Sequence, residues 1–87
     1  MIEIGKTYYF VCHAYYHWVG TVVKITGKKE CIVNNCVRVH ACGRDFSGFF
    51  ADGFGDDTTY TVWPDGTSVS DWFCVAPFEH RVPRRKK

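Results

Sequence analysis

The sequence contains no long apolar segment, and it has no pattern typical of a known enzyme site. No apolar run approaches the roughly 20 residues that a transmembrane helix needs, and residues 1–6 have no signal-peptide character. We therefore expect a cytoplasmic protein that does not enter a membrane. No nucleophile elbow or oxyanion loop accompanies the histidines and cysteines, so a protein that binds without catalysis is the favoured class.

The five cysteines also lack the spacing of a structural zinc site, because no Cys-x-x-Cys pair is present. An odd number leaves at least one thiol unpaired, and a cytoplasmic chain is expected to keep its thiols reduced. Most of the cysteines are expected to fill small spaces in the core. The alternative is a zinc site that draws on Cys31, Cys36, Cys42 and His40. We expect neither a metal nor a cofactor.

Basic residues are scarce in most of the chain and concentrated at its end. The 87 residues carry a formal charge of +2, with nine acidic and six basic side chains in residues 1–80 and five basic ones in residues 81–87. The length allows a single domain, which we place at residues 1–80, followed by a basic tail at 81–87. A general nucleic-acid binder spreads its basic residues over the folded surface, so only this tail suits a phosphate backbone.

Aromatic residues, in contrast, are abundant, and eight of the eleven residues from Tyr8 to Trp18 are aromatic or histidine. In a strand, side chains alternate between two faces. One face is expected to carry Tyr8, Phe10, Tyr16 and Trp18, and the other Tyr9, His13, Tyr15 and His17. Because so small a chain is expected to have one core, one of these sets should lie at a surface. Exposed rings suit flat, polar partners such as nucleobases.

Eight glycines break the chain at short intervals, which favours strands over helices. The predicted strands cover residues 6–13, 17–26, 30–41, 58–63 and 67–75. One short helix is predicted over 44–52, with Asp45 or Ser47 as its cap. The fold class is therefore mainly β with one short helix, built as a small five-stranded bent sheet or an SH3-like barrel.

Alternation along the third predicted strand also predicts where the side chains of Arg38 and His40 point. Strict alternation places four apolar residues on one face together with Asn35, namely Cys31, Val33, Val37 and Val39. This apolar face is the expected core side. Arg38 and His40 fall on the other face and are expected to point outward.

Four short motifs resemble those of a family of small phage and prophage proteins. They are Tyr15-Tyr16-His17-Trp18-Val19-Gly20, Val39-His40-Ala41-Cys42-Gly43-Arg44-Asp45-Phe46, Pro64-Asp65-Gly66 and Phe78-Glu79-His80-Arg81-Val82-Pro83. In order, they resemble the family's aromatic hairpin, its step into a short helix, its tight turn and its proline before a basic end. This chain departs from the family pattern by inserting Asp45 between Arg44 and Phe46 and by carrying Arg38 where an aromatic residue is expected.

The resemblance implies a virus-encoded accessory protein of the host cell cytoplasm that counters bacterial defence. Some proteins of this kind are sponges, which sequester cyclic nucleotide signals without cleaving them. A sponge needs rings that stack on bases and cations that grip phosphates. The expected ligand-binding residues are Tyr15, Tyr16, His17, Trp18, Arg38, His40 and Arg44. Trp72 is a further stacking candidate, although a tryptophan in a small β protein is more often part of the core.

Three classes of function stay open. The first is a sponge for a small anionic nucleotide, expected to be a homo-oligomer because 87 residues cannot enclose a dinucleotide alone. The second is an SH3-like accessory module that binds nucleic acid or a protein through the basic tail. The third is a small nuclease or phosphodiesterase, for which no metal or acid–base set is recognisable.

Overall fold

A computed structural model of the chain describes residues 2–13, 16–42 and 45–83. These residues form one antiparallel sheet of six strands and one short α-helix. In chain order the elements are β1 (Thr7–Cys12), β2 (Tyr16–Gly27), β3 (Glu30–Ala41), α1 (Phe46–Asp52), β4 (Thr59–Trp63), β5 (Thr67–Ser70) and β6 (Trp72–Pro77). The predicted fold class, mainly β with one short helix and a small bent sheet, is confirmed.

The long strand β3 has the most partners in this sheet, whose order is β4-β3-β2-β1-β6 with β5 also paired to β3. On one side β3 pairs with β2, and on the other it pairs with two strands placed end to end. β4 lies along the second half of β3, and β5 lies along the first half. The predicted Pro-Asp-Gly turn separates them, and Gly66 supplies the positive φ of 87° that such a turn requires.

Residues 67–75 were predicted as one strand, but the chain bends at Asp71 and forms β5 and β6 instead. Asp71 has a φ of 60°, a left-handed conformation that aspartate tolerates better than most residues. Its backbone nitrogen donates to the Lys29 oxygen at 2.9 Å, and its oxygen accepts from the His13 nitrogen at 3.1 Å. The chain therefore stops pairing with β3 here and begins to pair with β1. This change of partner accounts for six strands rather than five.

This crossing curls the sheet and gives the protein two apolar clusters, one on each face. The inner cluster is enclosed by the curl, because it joins residues of β1, β2 and β3 to Val69 of β5 and Trp72 of β6. Its buried members are Tyr8, Phe10, Cys12, Val22, Cys31, Val33, Cys36, Val69 and Trp72. The helix-side cluster lies on the opposite face and contains Tyr9, Val19, Val37, Val39, Cys42, Phe49 and Phe78. The expectation of a single core was therefore wrong.

A bulge at Asn35 divides β3 between the two clusters. The register advances two residues on β2, from Val19 to Thr21, while it moves three on β3, from Val37 to Asn34. Asn35 absorbs the extra residue with a φ of 53°, and its backbone nitrogen donates to Asp65 Oδ1 at 2.9 Å.

Because of this bulge, the prediction that Cys31, Val33, Val37 and Val39 share one face of β3 was wrong. Cys31 and Val33 belong to the inner cluster, whereas Val37 and Val39 belong to the helix-side cluster. Strict alternation fails because the extra residue exchanges the two faces for everything that follows it.

The helix α1 covers the outer face of the sheet and begins after Asp45, one of its two predicted caps. Asp45 Oδ1 accepts from the Gly48 nitrogen at 2.9 Å. Phe49 is fully buried in the helix-side cluster, and Phe46 packs against that cluster from its edge. Within the described ranges, no helix is both long and apolar enough to cross a membrane.

We expect Asn35→Val to lower the free energy of unfolding by about 1–2 kcal/mol, because a β-branched residue is strained in the left-handed region. Asn35→Gly is the matched control and should cost a few tenths of a kcal/mol or less, since glycine adopts a positive φ without strain. Urea unfolding curves measure both variants. Equal destabilisation by valine and glycine would show that the backbone conformation of Asn35 is not the constraint.

Candidate functional site

Four of the seven expected ligand-binding residues lie together on the inner face of the sheet, beyond the end of the inner cluster. Tyr16 and Trp18 come from β2, and Arg38 and His40 come from β3. Trp63 of β4 joins them, since its ring meets that of Trp18 edge to face with centres 5.2 Å apart. We call these five residues the aromatic face.

Arg38 lies in the middle of the aromatic face. Its cross-strand neighbours are Trp18 on β2 and Thr61 on β4, neither of which is acidic. The guanidinium carbon lies 4.0 Å from the centre of the Tyr16 ring, a cation–π contact. Its Nε is buried, and no atom of the described residues forms a hydrogen bond with it. Arg38 as a residue is only partly buried, and neither cross-strand neighbour is acidic, so its charge is available to an anion from outside the chain.

The rings around Arg38 differ in exposure. Tyr16 is 45% exposed and Trp63 is 38% exposed, while Trp18 is half-buried against the inner cluster. Trp63 was not among the residues expected from the sequence. Alternation along β4 could have found it, because Tyr60 and Val62 point toward the helix side and Trp63 therefore points to the opposite face. Trp72, the further stacking candidate, is only 6% exposed and belongs to the inner cluster.

His40 is exposed at the edge of the aromatic face, and its ring is held in place by the neighbouring strand. Its Nε2 lies 2.6 Å from the Thr61 hydroxyl. Thr61 is also the cross-strand neighbour of Arg38, so His40 and Arg38 lie beside the same residue of β4. The second ring nitrogen of His40 can donate or accept a hydrogen bond, depending on the tautomer.

A shallow groove of about 240 Å³ adjoins the aromatic face. It is lined by Tyr16, Trp18 and Cys12, and by the segment from Ser68 to Asp71. The mouth of a curled sheet is a common place for a small ligand, because rigid strands surround it and the core closes its floor. The aromatic face and the groove share two rings and together form the candidate site.

His17, which the sequence analysis placed among the ligand-binding residues, lies on the opposite side of the sheet. Its ring stacks on Phe46 with centres 3.8 Å apart and planes 5° from parallel. Its Nδ1 lies 2.7 Å from the Tyr9 hydroxyl. Burial lowers the pKa of His17 and raises that of Tyr9. The structure therefore does not bring His17 to the aromatic face, because alternation along β2 separates it from Tyr16 and Trp18.

Two further expected residues, Tyr15 and Arg44, lie outside the described residues. The four residues of the alternative zinc site are dispersed. Cys31 and Cys36 lie in the inner cluster, Cys42 in the helix-side cluster, and His40 on the aromatic face. Burial raises the pKa of Cys31 to about 11 and that of Cys36 to about 12, so these thiols stay protonated. No group of three metal-ligating side chains occurs within residues 2–13, 16–42 and 45–83.

The chain matched no family model, no curated protein and no solved structure in the three comparisons that were made. The chemistry of the site therefore follows from its geometry alone. Flat rings, a guanidinium without an acidic neighbour and a histidine ring are grouped on three adjacent strands. Such a surface can hold a planar group that carries negative charge.

We expect the protein to lose stability below about pH 6.5, because the folded state resists protonation of His17. The pKa of His17 is lowered from its ordinary value of 6.5, so the unfolded chain takes up the proton first. The contribution of His17 is therefore complete above that value and declines as the pH falls toward the lowered pKa. Urea unfolding at about pH 7.5 and about pH 5.5 measures the loss.

His17→Gln should show a smaller loss over the same interval than the unaltered protein, because glutamine does not titrate. His13→Gln, which removes an exposed histidine directly after β1, is the matched control and should keep the full loss. If His17→Gln and the unaltered protein lose the same free energy of unfolding, burial of His17 does not govern the pH dependence.

Proposed function

We propose that this chain is a non-catalytic binding protein that captures a nucleotide on the aromatic face. The observation that carries the proposal is the position of Arg38, whose guanidinium lies on the Tyr16 ring between Trp18 and Thr61 without an acidic neighbour. A nucleotide matches this arrangement because it joins a flat base to an anionic phosphate. Neither part requires an acid–base pair or a metal for binding.

Base stacking is supported by two rings that the fold leaves partly open. Trp63 and Tyr16 are more than one-third exposed, although Trp63 contacts the Trp18 ring and Tyr16 contacts the Arg38 guanidinium. Stacking of one base on an aromatic side chain contributes about 1–3 kcal/mol to binding. The rings are held by strand pairing, so little conformational entropy is lost when a base arrives.

Phosphate binding is supported by Arg38. The guanidinium is a planar fork that can donate two parallel hydrogen bonds to phosphate oxygens, and its stacking on Tyr16 restricts its orientation. His40 lies on the same strand two residues further along, and its ring is ordered by Thr61. Both residues can therefore approach one anionic group.

The resemblance to small phage and prophage proteins suggests the biological use of such a site. In this proposal the protein is a sponge in the host cytoplasm, which sequesters a cyclic nucleotide signal and so blocks an anti-phage defence. The candidate site is open on one side and its groove is small, at about 240 Å³. A second copy of the chain would supply the missing wall for a dinucleotide, and we therefore propose that the sponge is a homo-oligomer.

A second candidate, an SH3-like module that binds single-stranded nucleic acid, is favoured by one feature of the same surface. The aromatic face crosses three adjacent strands and is open along the sheet, which also suits a continuous strand of bases. In that case the basic residues of the tail would contact the phosphates. Of these residues, the structure describes Arg81, which is exposed, whereas residues 84–87 lie outside the described part.

We expect a thermal-shift panel of cyclic di- and trinucleotides and ADP-ribose derivatives to identify a ligand that raises the melting temperature. A ligand at one hundred times its dissociation constant should add about 2.7 kcal/mol to the free energy of unfolding. Trp63→Ala should weaken binding by about 5- to 150-fold, the equivalent of one lost stacking contact. Arg38→Lys should weaken it by about tenfold or more, because the fork is lost while the charge stays.

Phe50→Ala is the matched control for Trp63→Ala, because both rings are 38% exposed but Phe50 lies on α1, away from the aromatic face. It should bind the ligand as tightly as the unaltered protein. The ligand should also be recovered chemically unchanged after the protein is denatured by heat. A melting temperature that no member of the panel raises, or a ligand recovered in cleaved form, would reject the proposed sponge.

Deleting residues 84–87 should leave nucleotide capture intact at moderate salt, because the proposed contacts lie on β2, β3 and β4. Fluorescence titrations at several salt concentrations measure this, with single-stranded DNA as the second ligand. If the deletion abolishes all binding, and binding by the full chain falls steeply with salt, contacts to a phosphate backbone dominate. That result would favour the nucleic-acid module instead.

A further inference from the structure

The groove beside the aromatic face contains a carboxylate whose backbone is unusually well fixed. Asp71 joins β5 to β6 and has a φ of 60°, a conformation seldom adopted without a compensating interaction. Its backbone nitrogen donates to the Lys29 oxygen and its backbone oxygen accepts from the His13 nitrogen, so the turn between β2 and β3 and the residue after β1 both hold its backbone in place. The side chain itself remains exposed.

The carboxylate of Asp71 is close to the floor of the groove. Cys12 and Asp71 both line the groove, and the thiol of Cys12 is buried in the inner cluster. Burial raises the pKa of this thiol to about 11, and the negative charge of Asp71 adds to the increase. The charge of Asp71 is therefore felt within the groove that Tyr16 and Trp18 also line.

A carboxylate in this position selects the part of a nucleotide that enters the groove. It repels phosphate, so the phosphate belongs with Arg38, and the groove is left for a base. An ionised carboxylate has only acceptor oxygens, and it is best satisfied by two adjacent N–H donors. Guanine offers such a pair, at N1 and at its exocyclic amine, whereas adenine presents an acceptor at N1 beside its amine.

We propose that Asp71 makes guanine the preferred base of the candidate site, with the base stacked against Tyr16 or Trp18 and its N1 and amine hydrogens donated to the carboxylate. This inference rests on the proposed function, because it names the base that the same site would hold.

We expect the protein to bind GMP at least about tenfold more tightly than AMP, with IMP between them because inosine keeps the N1 hydrogen and lacks the amine. Quenching of tryptophan fluorescence can report the titration, since Trp18 and Trp63 belong to the site. Asp71→Asn should reduce the ratio of the GMP and AMP affinities to about threefold or less, because the amide is neutral and carries one acceptor oxygen. Asparagine also tolerates a left-handed backbone, so this variant should keep its melting temperature.

Asp56→Asn is the control, because it removes an exposed carboxylate from the turn that follows α1 and should leave the ratio unchanged. Equal affinity for GMP and AMP, or a preference for GMP that survives in Asp71→Asn, would overturn the guanine inference while leaving nucleotide capture intact. If neither these probes nor any member of the cyclic nucleotide panel binds, both the inference and the proposed function are rejected.

Discussion

The bulge at Asn35 is the constraint on which the rest of the structure depends. It exchanges the two faces of β3 halfway along the strand, so that Val37 and Val39 pack toward the helix and Arg38 points to the inner side. An unbroken strand would place Arg38 beneath α1 and would give the inner face two more valines. One left-handed residue therefore creates both the second apolar cluster and the cationic centre of the candidate site.

The second left-handed residue, Asp71, has a complementary effect. By transferring the chain from β3 to β1, it curls the sheet over the inner cluster and brings residues 68–71 to the groove that Tyr16 and Trp18 also line. The two bends cooperate, because Asn35 supplies an aromatic and cationic surface and Asp71 turns the adjoining part of that surface into a groove. Strand pairing holds the backbone of both the aromatic face and the groove, which limits how far either of them can move.

Charge is distributed across the site in a way that would orient a ligand. Arg38 has no acidic neighbour across either strand, and Asp71 lines the groove, of which Arg38 is not a lining residue. A ligand with an anionic end and an N–H donor edge fits this polarity in one orientation. His17, although surrounded by rings in the sequence, has a packing role under the helix, where burial favours its neutral form.

The sequence by itself determined the class of fold, most element boundaries, the cap at Asp45 and the presence of more rings than the core hides, because these depend on local periodicity and turn chemistry. It also predicted seven ligand-binding residues, of which the structure places four together, namely Tyr16, Trp18, Arg38 and His40. Only the tertiary structure decided that His17 lies on the opposite face, that Trp63 lies beside Trp18 and that Asp71 lines the same groove as the rings. Those outcomes depend on the bulge at Asn35 and the bend at Asp71, where a single residue changes strand register or partner, and alternation along one strand carries no information about either.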